Sequence, residues 1–512
     1  MEMYEHEALV ANLLKELPDA QLIQTHISSV ILARDIVYKL KKPVDFGFLD
    51  YSTLSKRHHC ALEELRCNRR VAPQLYLGLV TITGSVEVPT IEGDGEVIDY
   101  AVKMRRFDER DQLDHVVDDN RMPIEATEKI AALIAAFHQA AEVVDAEARF
   151  GEPEVLLHPM LENFDYFDLL LDDDATNALL ADLKVWTLQT YERLKPVLKT
   201  RKAKGFIRQC HGDLHLHNMA YYRGELIAFD AIEFNPDLSH IDVISDLAFL
   251  LMDLEYRGLQ RYSRRLLNAY LEITGDYAAV ALLRFYKTYR AMVRAKVEAL
   301  RAAQHREGRD EILAGVKRYI ALAQSYMKPG EPYLAITHGV SGSGKSSAAL
   351  MAVEAFGALR IRSDVERMRL FRPEGGPADS SGIEEGIYSQ EATEATYRYL
   401  AVLAKVVIES ALPVVVDATF LRLLQRKSFE ELAHILGVEY QIMTMACDEA
   451  VVRGRLIRRR EEGSDVSEAD EGVLRRQLQS AEPLDERERR YARYIPCATL
   501  EQMREAIEQV RG

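Results

Sequence analysis

The sequence predicts two folded parts of different class, an α+β half followed by an α/β half built on a parallel sheet. Three observations carry this: strand-type alternation around one long helix between about residues 20 and 106, helical periodicity from 122 to 328, and apolar strands alternating with helical stretches after residue 333. At 512 residues the chain exceeds what one hydrophobic core supports, and roughly 150 residues per folding unit gives about three units. Their expected bounds are 1–120, 121–328 and 333–512.

In the first unit, QLIQTHISSVILA, the turn Arg34-Asp35 and IVYKLKKPV alternate as a hairpin does. The segment STLSKRHHCALEELRCNRR opens on a capping Ser or Thr and continues in good helix formers, and VEVPTIEG and VIDYAVKMRRF follow as strands. In the second unit, Ile130, Leu133, Ile134 and Phe137 of ATEKIAALIAAFHQAAEVV recur at helical spacing. One polar insert, CHGDLHLHNMAYYRGELIAFDAIEF, breaks that helical pattern and asks for a functional reason. Two prolines and a glycine between Met327 and Pro332 set the boundary of the third unit. Beyond it YLAITH, ALRIRSD, LPVVVDATF and EYQIMTMACD alternate with helices, as a parallel sheet requires.

Composition narrows the function. Apolar residues make up 48% and charged residues 29%, ordinary for a globular chain, and the net charge of -16 argues against a protein that neutralises duplex nucleic acid. The N-terminus MEMYEHEALVANLLKELPD is acidic and amphipathic, unlike a secretion signal, and no run of about 18 apolar residues is present to span a membrane. Five scattered cysteines (Cys60, Cys67, Cys210, Cys447, Cys497) suit a reducing compartment better than a disulfide framework, so the cytoplasm is the expected location.

The polar insert carries the first candidate site. Asp213 precedes Asn218 by five residues, and Asp230 ends LIAFD. If 219–222 and 226–229 are strands joined across Arg223-Gly224-Glu225, the hairpin folds at Gly224 and brings Asn218 and Asp230 together at its open end. Two such oxygen donors suit Mg²⁺, and Asp213 is placed to orient an acceptor hydroxyl and take its proton, the division of labour of phosphoryl transfer. His215 and His217 form a weaker candidate metal pair, with no further ligands beside them.

HGDLHLHN followed by AFD resembles the aminoglycoside phosphotransferase and choline kinase branch of the two-lobed protein-kinase-like fold. IAAFHQA and the Asp246 segment SDLAFL resemble the same branch. The resemblance implies that Asp213 is the catalytic base and that Asn218 and Asp230 hold the metal. It also calls for a strand lysine on the nucleotide phosphates and a helix glutamate to hold it. Lys39, with Lys41 two residues on, and Glu64, with Glu63 as fallback, are the candidates, against the alternative of a solvated edge-strand lysine. The first hairpin lacks the glycines of a phosphate-covering loop, leaving the amides of Ser28 and Ser29 as substitutes. Asp108, Glu109, Asp111 and Asp114 form an acidic stretch such as a polycationic acceptor would need, although acidic loops are common.

The second site is a contiguous motif. Gly339, Val340, Ser341, Gly342, Ser343, Gly344, Lys345 and Ser346 match G-x-x-x-x-G-K-S between a strand and a helix-forming stretch, the context in which backbone amides and a helix N-terminus cradle phosphates. Lys345 would reach the β and γ phosphates, with Ser346 and Asp417, at the end of the strand LPVVVD, on Mg²⁺. Asp364 is placed to engage an acceptor hydroxyl, and Arg455 and Arg459 lie four apart on a helix face, as phosphate-facing cations or as a solvated face, before the lid-like EEGSDVSEAD. This half resembles P-loop kinases of the gluconate kinase, polynucleotide kinase and zeta-toxin type, which implies a substrate-activating role for Asp364 and a lid role for Arg455 and Arg459. Tyr388, Thr419 and Arg422 are candidates for the acceptor pocket.

The order of the two halves resembles a bacterial fusion of an aminoglycoside phosphotransferase-like domain with a P-loop ATP-binding protein. The expected function is transfer of the γ-phosphoryl group of ATP, with Mg²⁺, to a small-molecule hydroxyl at two nucleotide sites. The alternatives are a nucleotide-gated regulatory module and a toxin-like kinase of a nucleotide sugar.

Overall fold

The structure is a computed structural model that describes residues 1–47, 49–165, 167, 174–304, 308–371, 389–462, 471–497 and 499–509. It divides into two compact units, 1–257 with 285–327, and 258–284 with 328–512. The stretch 258–284, read from sequence as part of the helical lobe, therefore packs with the C-terminal half.

The first unit begins with α1 (Met3–Glu16) and a six-stranded antiparallel sheet of β1 (Gln21–Gln24), β2 (Ser28–Ala33), β3 (Ile36–Lys41), β4 (Tyr76–Gly84), β5 (Pro89–Ile91) and β6 (Val97–Arg105), in spatial order β1-β2-β3-β6-β4-β5. The expected first strand is two strands, folded back at residues 25–27, where the Thr25 hydroxyl accepts from the Ser28 amide. β4 was not anticipated; its glycines at 78 and 84 interrupt the apolar pattern.

Both faces of this sheet are covered, and period-2 alternation decides which residue meets which cover. Ile31, Leu40 and Ala101 pack on Leu9, Val10 and Leu13 of α1. Their neighbours Leu32, Val37 and Val102 turn to the other face, against Ala61 and Leu65 of α2 (Leu54–Asn68), whose N-cap is Thr53. Lys39 and Lys41 follow Val37 at steps of two, so they stand on the α2 face.

The helical part comprises α3 (Leu113–Asp118), α4 (Ala126–Ala140), α5 (Pro153–Asp165), α6 (Asp174–Ala203), α7 (Pro236–Ser239) and α8 (Val243–Tyr256), with β7 (Ile207–Gln209), β8 (Met219–Tyr222), β9 (Glu225–Ala228) and β10 (His240–Asp242) set among them. α9 (Gln260–Thr274) belongs to the second unit, and α10 (Leu283–Gln304) and α11 (Arg309–Met327) complete the lobe. Phe164, Leu183, Phe249, Met252, Met292, Tyr319 and Ile320 form its core.

The second unit is a five-stranded parallel sheet of β11 (Tyr333–His338), β12 (Leu359–Arg362), β13 (Val414–Asp417), β14 (Glu439–Ala446) and β15 (Ala492–Pro496), in the order β12-β13-β11-β14-β15. Its helices are α12 (Lys345–Phe356), α13 (Ser363–Phe371), α14 (Gln390–Glu409), α15 (Leu423–Leu436), α16 (Glu449–Glu462), α17 (Glu471–Ser480) and α18 (Leu500–Glu508). Tyr333, Ala335, Val415 and Met443 pack with α12 and α18, while the alternate residues Leu334, Ile336, Val416 and Ile442 are buried toward α14 and α15. β15 escaped the sequence reading because ARYIP is short and half exposed.

α9 docks on α12 through a collar of ion pairs. Arg261 and Arg265 converge on the buried Glu354, and Glu272 joins Arg360 and Arg362 at 2.8 Å each. This explains why 258–284 sorts with the parallel sheet. Among the described residues no helix is long and apolar enough to cross a membrane.

The expectation of five unpaired thiols is corrected at one pair. Cys447 and Cys497 are joined as a disulfide with 5.5 Å between their α-carbons, because each follows the last residue of one of two adjacent parallel strands. Cys60, Cys67 and Cys210 are free.

Candidate functional site

In the first unit the loop 211–218 runs from β7 into the β8–β9 hairpin. That hairpin has the two-residue turn Arg223-Gly224, both at positive φ (54° and 83°), the geometry that matches strand twist. The turn is one residue shorter than the sequence reading supposed, so the Phe229 amide pairs with the Asn218 carbonyl (2.9 Å) and Asp230 stands one residue beyond. Asp230 has φ 64°, a left-handed conformation that Asp tolerates better than most residues.

Buried side chains hold the loop by its backbone. Asp246 of α8 accepts from the amides of His211 (3.0 Å) and Gly212 (2.9 Å) and meets His138 at 3.1 Å; Asp253 accepts from the Leu216 amide, Gln112 donates to the His217 carbonyl, and Arg290 to that of Gly212. Gly212 has φ 84°, and a β-carbon there would lie 2.7 Å from the Leu238 carbonyl oxygen. No other residue fits without moving the loop.

Within this frame the Asn218 amide nitrogen donates to both the carbonyl and the carboxylate of Asp213, each at 3.0 Å, which leaves its amide oxygen available as a ligand. Burial works against ionising Asp213, but the charge of His215 (3.3 Å away), Arg294 and His211 outweighs it and holds the carboxyl well below the usual range. His215 and His217 do not converge: His217 bonds Asp114 at 2.9 Å, so each imidazole serves a different carboxylate. Of the acidic stretch, Asp108 pairs with Arg110, and Asp114 is thus committed to His217.

Lys39 meets Glu64 at 2.9 Å and also bonds Asp230, so one ammonium links β3, α2 and the end of the hairpin. Lys41 meets the other Glu64 oxygen at 2.9 Å, the Tyr51 hydroxyl at 3.2 Å, and Glu233. Burial disfavours both ammonium groups. Asp230 and Glu64 nevertheless raise Lys39, and Glu233 and Glu64 raise Lys41, so both stay charged. The fallback Glu63 faces outward onto Arg66. Ser29 is sealed between His6 (2.9 Å) and Gln24 (3.1 Å). Glu233, Tyr51, Gln112, Asp253 and Arg290 were missed; the only local hint was that Glu233 follows Asp230 closely.

In the second unit Gly339, Gly342 and Gly344 have φ 147°, 82° and 95°. β-carbons at the last two would press on Leu456 and Val452, and on Met503 and Arg455, at 3.1–3.3 Å. The Lys345 ammonium donates to the Val340 carbonyl at 2.7 Å, and Ser346 lies in the first turn of α12. Gln477 of α17 accepts from the Ser341 amide (2.8 Å) and donates to its hydroxyl (3.0 Å). Asp417, buried at the end of β13, has one carboxylate oxygen with no hydrogen-bond partner among the described residues. Burial and then the charge of Asp417 raise Asp364 above the ordinary carboxylate range. Hard oxygen donors, one of them orphaned, and two carboxylates in mutual repulsion fit a divalent cation.

Arg455 donates to the Cys497 carbonyl at 2.5 Å and stands beside Gly344. The side chain of Arg459, Tyr388 and most of the lid-like segment lie outside the described residues. The Thr419 carbonyl accepts from the Gly339 amide, and Arg422 meets Glu482 at 3.4 Å.

Comparison with known proteins places residues 334–484 on the family model described as AAA domain. The chain is 30% identical over 408 residues, 79% of each chain, to the uncharacterized protein Rv2004c of Mycobacterium tuberculosis (strain ATCC 25618 / H37Rv), and equally to the uncharacterized protein Mb2027c of Mycobacterium bovis. Among solved structures, a gluconokinase from Sinorhizobium meliloti 1021 is 25% identical, covering 35% of this chain and 93% of that one, with a TM-score of 0.27. A Plasmodium vivax ethanolamine kinase is 10% identical, covering 64% and 87%, with a TM-score of 0.39.

Proposed function

From the premise that this chain belongs to the same family as Rv2004c and Mb2027c, we propose that it is an ATP-dependent phosphotransferase with two nucleotide sites, acting on small-molecule hydroxyl groups. What supports the reading is that each unit supplies a lysine and oxygen donors that would serve phosphates and a metal: Lys39, paired with Asp230, and Asn218 in the first, and Lys345, Ser346 and Asp417 in the second. Bound among those oxygens, Mg²⁺ would neutralise the phosphate charge that builds during transfer.

In the first unit Asp213, ionised and fixed by Asn218, accepts a hydrogen bond from the acceptor hydroxyl and aims its oxygen at the γ-phosphorus. The new oxygen–phosphorus bond forms as the bond to the ADP oxygen breaks, and the hydroxyl proton leaves through Asp213. Lys39, held by Glu64, turns its ammonium to the nucleotide phosphates. In the second unit the amides of 339–346 and Lys345 take the phosphates, and Asp364, kept above the usual carboxylate range, engages the acceptor hydroxyl.

One observation favours a regulatory role for the first unit. The β1–β2 turn is closed by Thr25 and Ser28 and backed by the buried Ser29, so no glycine loop covers phosphates there. The test follows labelled γ-phosphate from ATP into a cell-extract metabolite pool with wild type, Lys345→Ala and Asp213→Asn. The proposal expects each variant to lose part of the transfer. Nucleotide binding with no labelled product would assign a regulatory role instead.

A further inference from the structure

We propose that Cys447 and Cys497 form a reversible thiol–disulfide site, exchanging with small disulfides and thiols of the glutathione type, whose oxidation weakens nucleotide binding at the loop 339–346. The proposal rests on the reading of that loop as a nucleotide site.

Sheet topology makes the pair. The last paired residues of β14 and β15 are Ala446 and Pro496, so the next residue of each strand is a cysteine, side by side at the sheet's C-terminal edge. Their α-carbons are 5.5 Å apart, a span one disulfide bridges without moving backbone. Parallel sheets bind ligands at this edge, and both cysteines touch the binding loop or its support.

The two sulfurs differ in access. Cys497 is 4% exposed, whereas Cys447 is half-buried and lines a cavity of about 220 Å³ with Gly339, Val340 and Ser343. Arg455 places a guanidinium nitrogen 3.9 Å from the Cys447 sulfur, which stabilises the thiolate formed when the resting thiol gives up its proton to attack. Cys447 is therefore the attacking sulfur: its thiolate displaces one thiolate from a small disulfide, giving a mixed disulfide. The Cys497 thiolate then attacks the Cys447 sulfur and releases the second. The protein loses two electrons and two protons, and the small disulfide becomes two thiols.

Coupling to the nucleotide runs through two contacts. The Cys447 sulfur lies 3.2 Å from the Ser343 carbonyl, inside the loop. As a thiol it donates its proton there and steadies the loop; as a disulfide it has none to donate, and two electron-rich atoms face each other. The Cys497 carbonyl holds Arg455, another of whose nitrogens lies 3.3 Å from where a Gly344 β-carbon would be. The cross-link thus also fixes the group that backs the loop's last glycine. Linkage is reciprocal, so the nucleotide favours the dithiol by the factor by which reduction favours the nucleotide.

The test equilibrates the full chain in glutathione buffers of rising oxidised fraction. The Cys447–Cys497 linkage is counted by differential alkylation and peptide mass spectrometry, and MgADP affinity is measured in parallel, with Lys345→Ala identifying the component due to this loop. Reduction is expected to tighten that component roughly fivefold or more, and MgADP to shift the redox midpoint toward the dithiol by the matching amount, about 30 mV for a tenfold change. Cys447→Ser, which keeps a hydroxyl donor facing the Ser343 carbonyl and leaves only the buried Cys497, should show one affinity in every buffer. The proposal is overturned if the linkage never forms, or if it forms and MgADP affinity is unchanged. Absence of any Lys345-dependent binding in reduced protein overturns it together with the nucleotide reading, a failure told apart because the linkage is counted separately.

Discussion

The two candidate sites would hold a triphosphate in opposite ways. In the first, the charges come from three stretches of the chain and are already matched to one another: Lys39 and Lys41 share Glu64, and Asp230 and Glu233 close the set. In the second, eight consecutive residues would form the cradle, Lys345 rests on a carbonyl of its own loop, and one Asp417 oxygen has no partner among the described residues. A site made of long-range ion pairs is part of the fold's stability. One made of a contiguous loop is built for its ligand and contributes little without it.

The comparison breaks first on chemistry. Asp213→Asn should leave the loop's frame intact, because Asp246, Asp253 and Arg290 hold it, yet lower transfer at the first site by about 10³-fold. Steady-state rates in a Lys345→Ala background measure this directly. An unchanged rate would show that Asp213 is no base.

Stability gives the next largest contrast. Lys41→Met removes the cation buried among Glu64, Glu233 and Tyr51, and should cost about 3–5 kcal/mol in urea unfolding of the first unit. Asp417→Asn, where no partner is lost, should change unfolding of the second by under about 1 kcal/mol while abolishing the Mg²⁺ dependence of nucleotide affinity. Equal costs in the two units would erase the distinction.

The smallest effect concerns pH. Burial opposes its ionisation, yet His217 holds Asp114 down to about 2, below its unfolded value, so its share of stability is present above roughly pH 4 and lost as pH falls toward 2. His217 is raised, first by the Asp114 hydrogen bond, so its share is present below about pH 6.5 and lost as pH rises through the raised value. The pair is thus strongest between about pH 4 and 6.5. Because His217 is 62% exposed, the difference between wild type and His217→Gln in melts at pH 5.5 and 8.5 should stay under about 1 kcal/mol.

The contiguous motif was legible at once, since its spacing is local and its flanking strand and helix are periodic. The hairpin between Asn218 and Asp230 was legible from its one glycine turn, but that turn is a residue shorter than the spacing suggests, so Phe229 and not Asp230 pairs with Asn218. Lys39 and Glu64 were legible only as types, a strand lysine and a helix glutamate. What escaped depends on contacts that leave no periodic trace: Arg290 reaching Gly212, Glu233 reaching Lys41, and Cys447 reaching Cys497 across 50 residues. The docking of α9 escaped for the same reason, because Glu272 is unremarkable until Arg360 and Arg362 stand opposite it.

The central claim, two separate triphosphate sites in one chain, is tested most directly by the stoichiometry of a non-hydrolysable MgATP analogue in equilibrium dialysis. The account predicts two bound per wild-type chain and one per Lys345→Ala chain. A single equivalent in the wild type, or two remaining in Lys345→Ala, would contradict it.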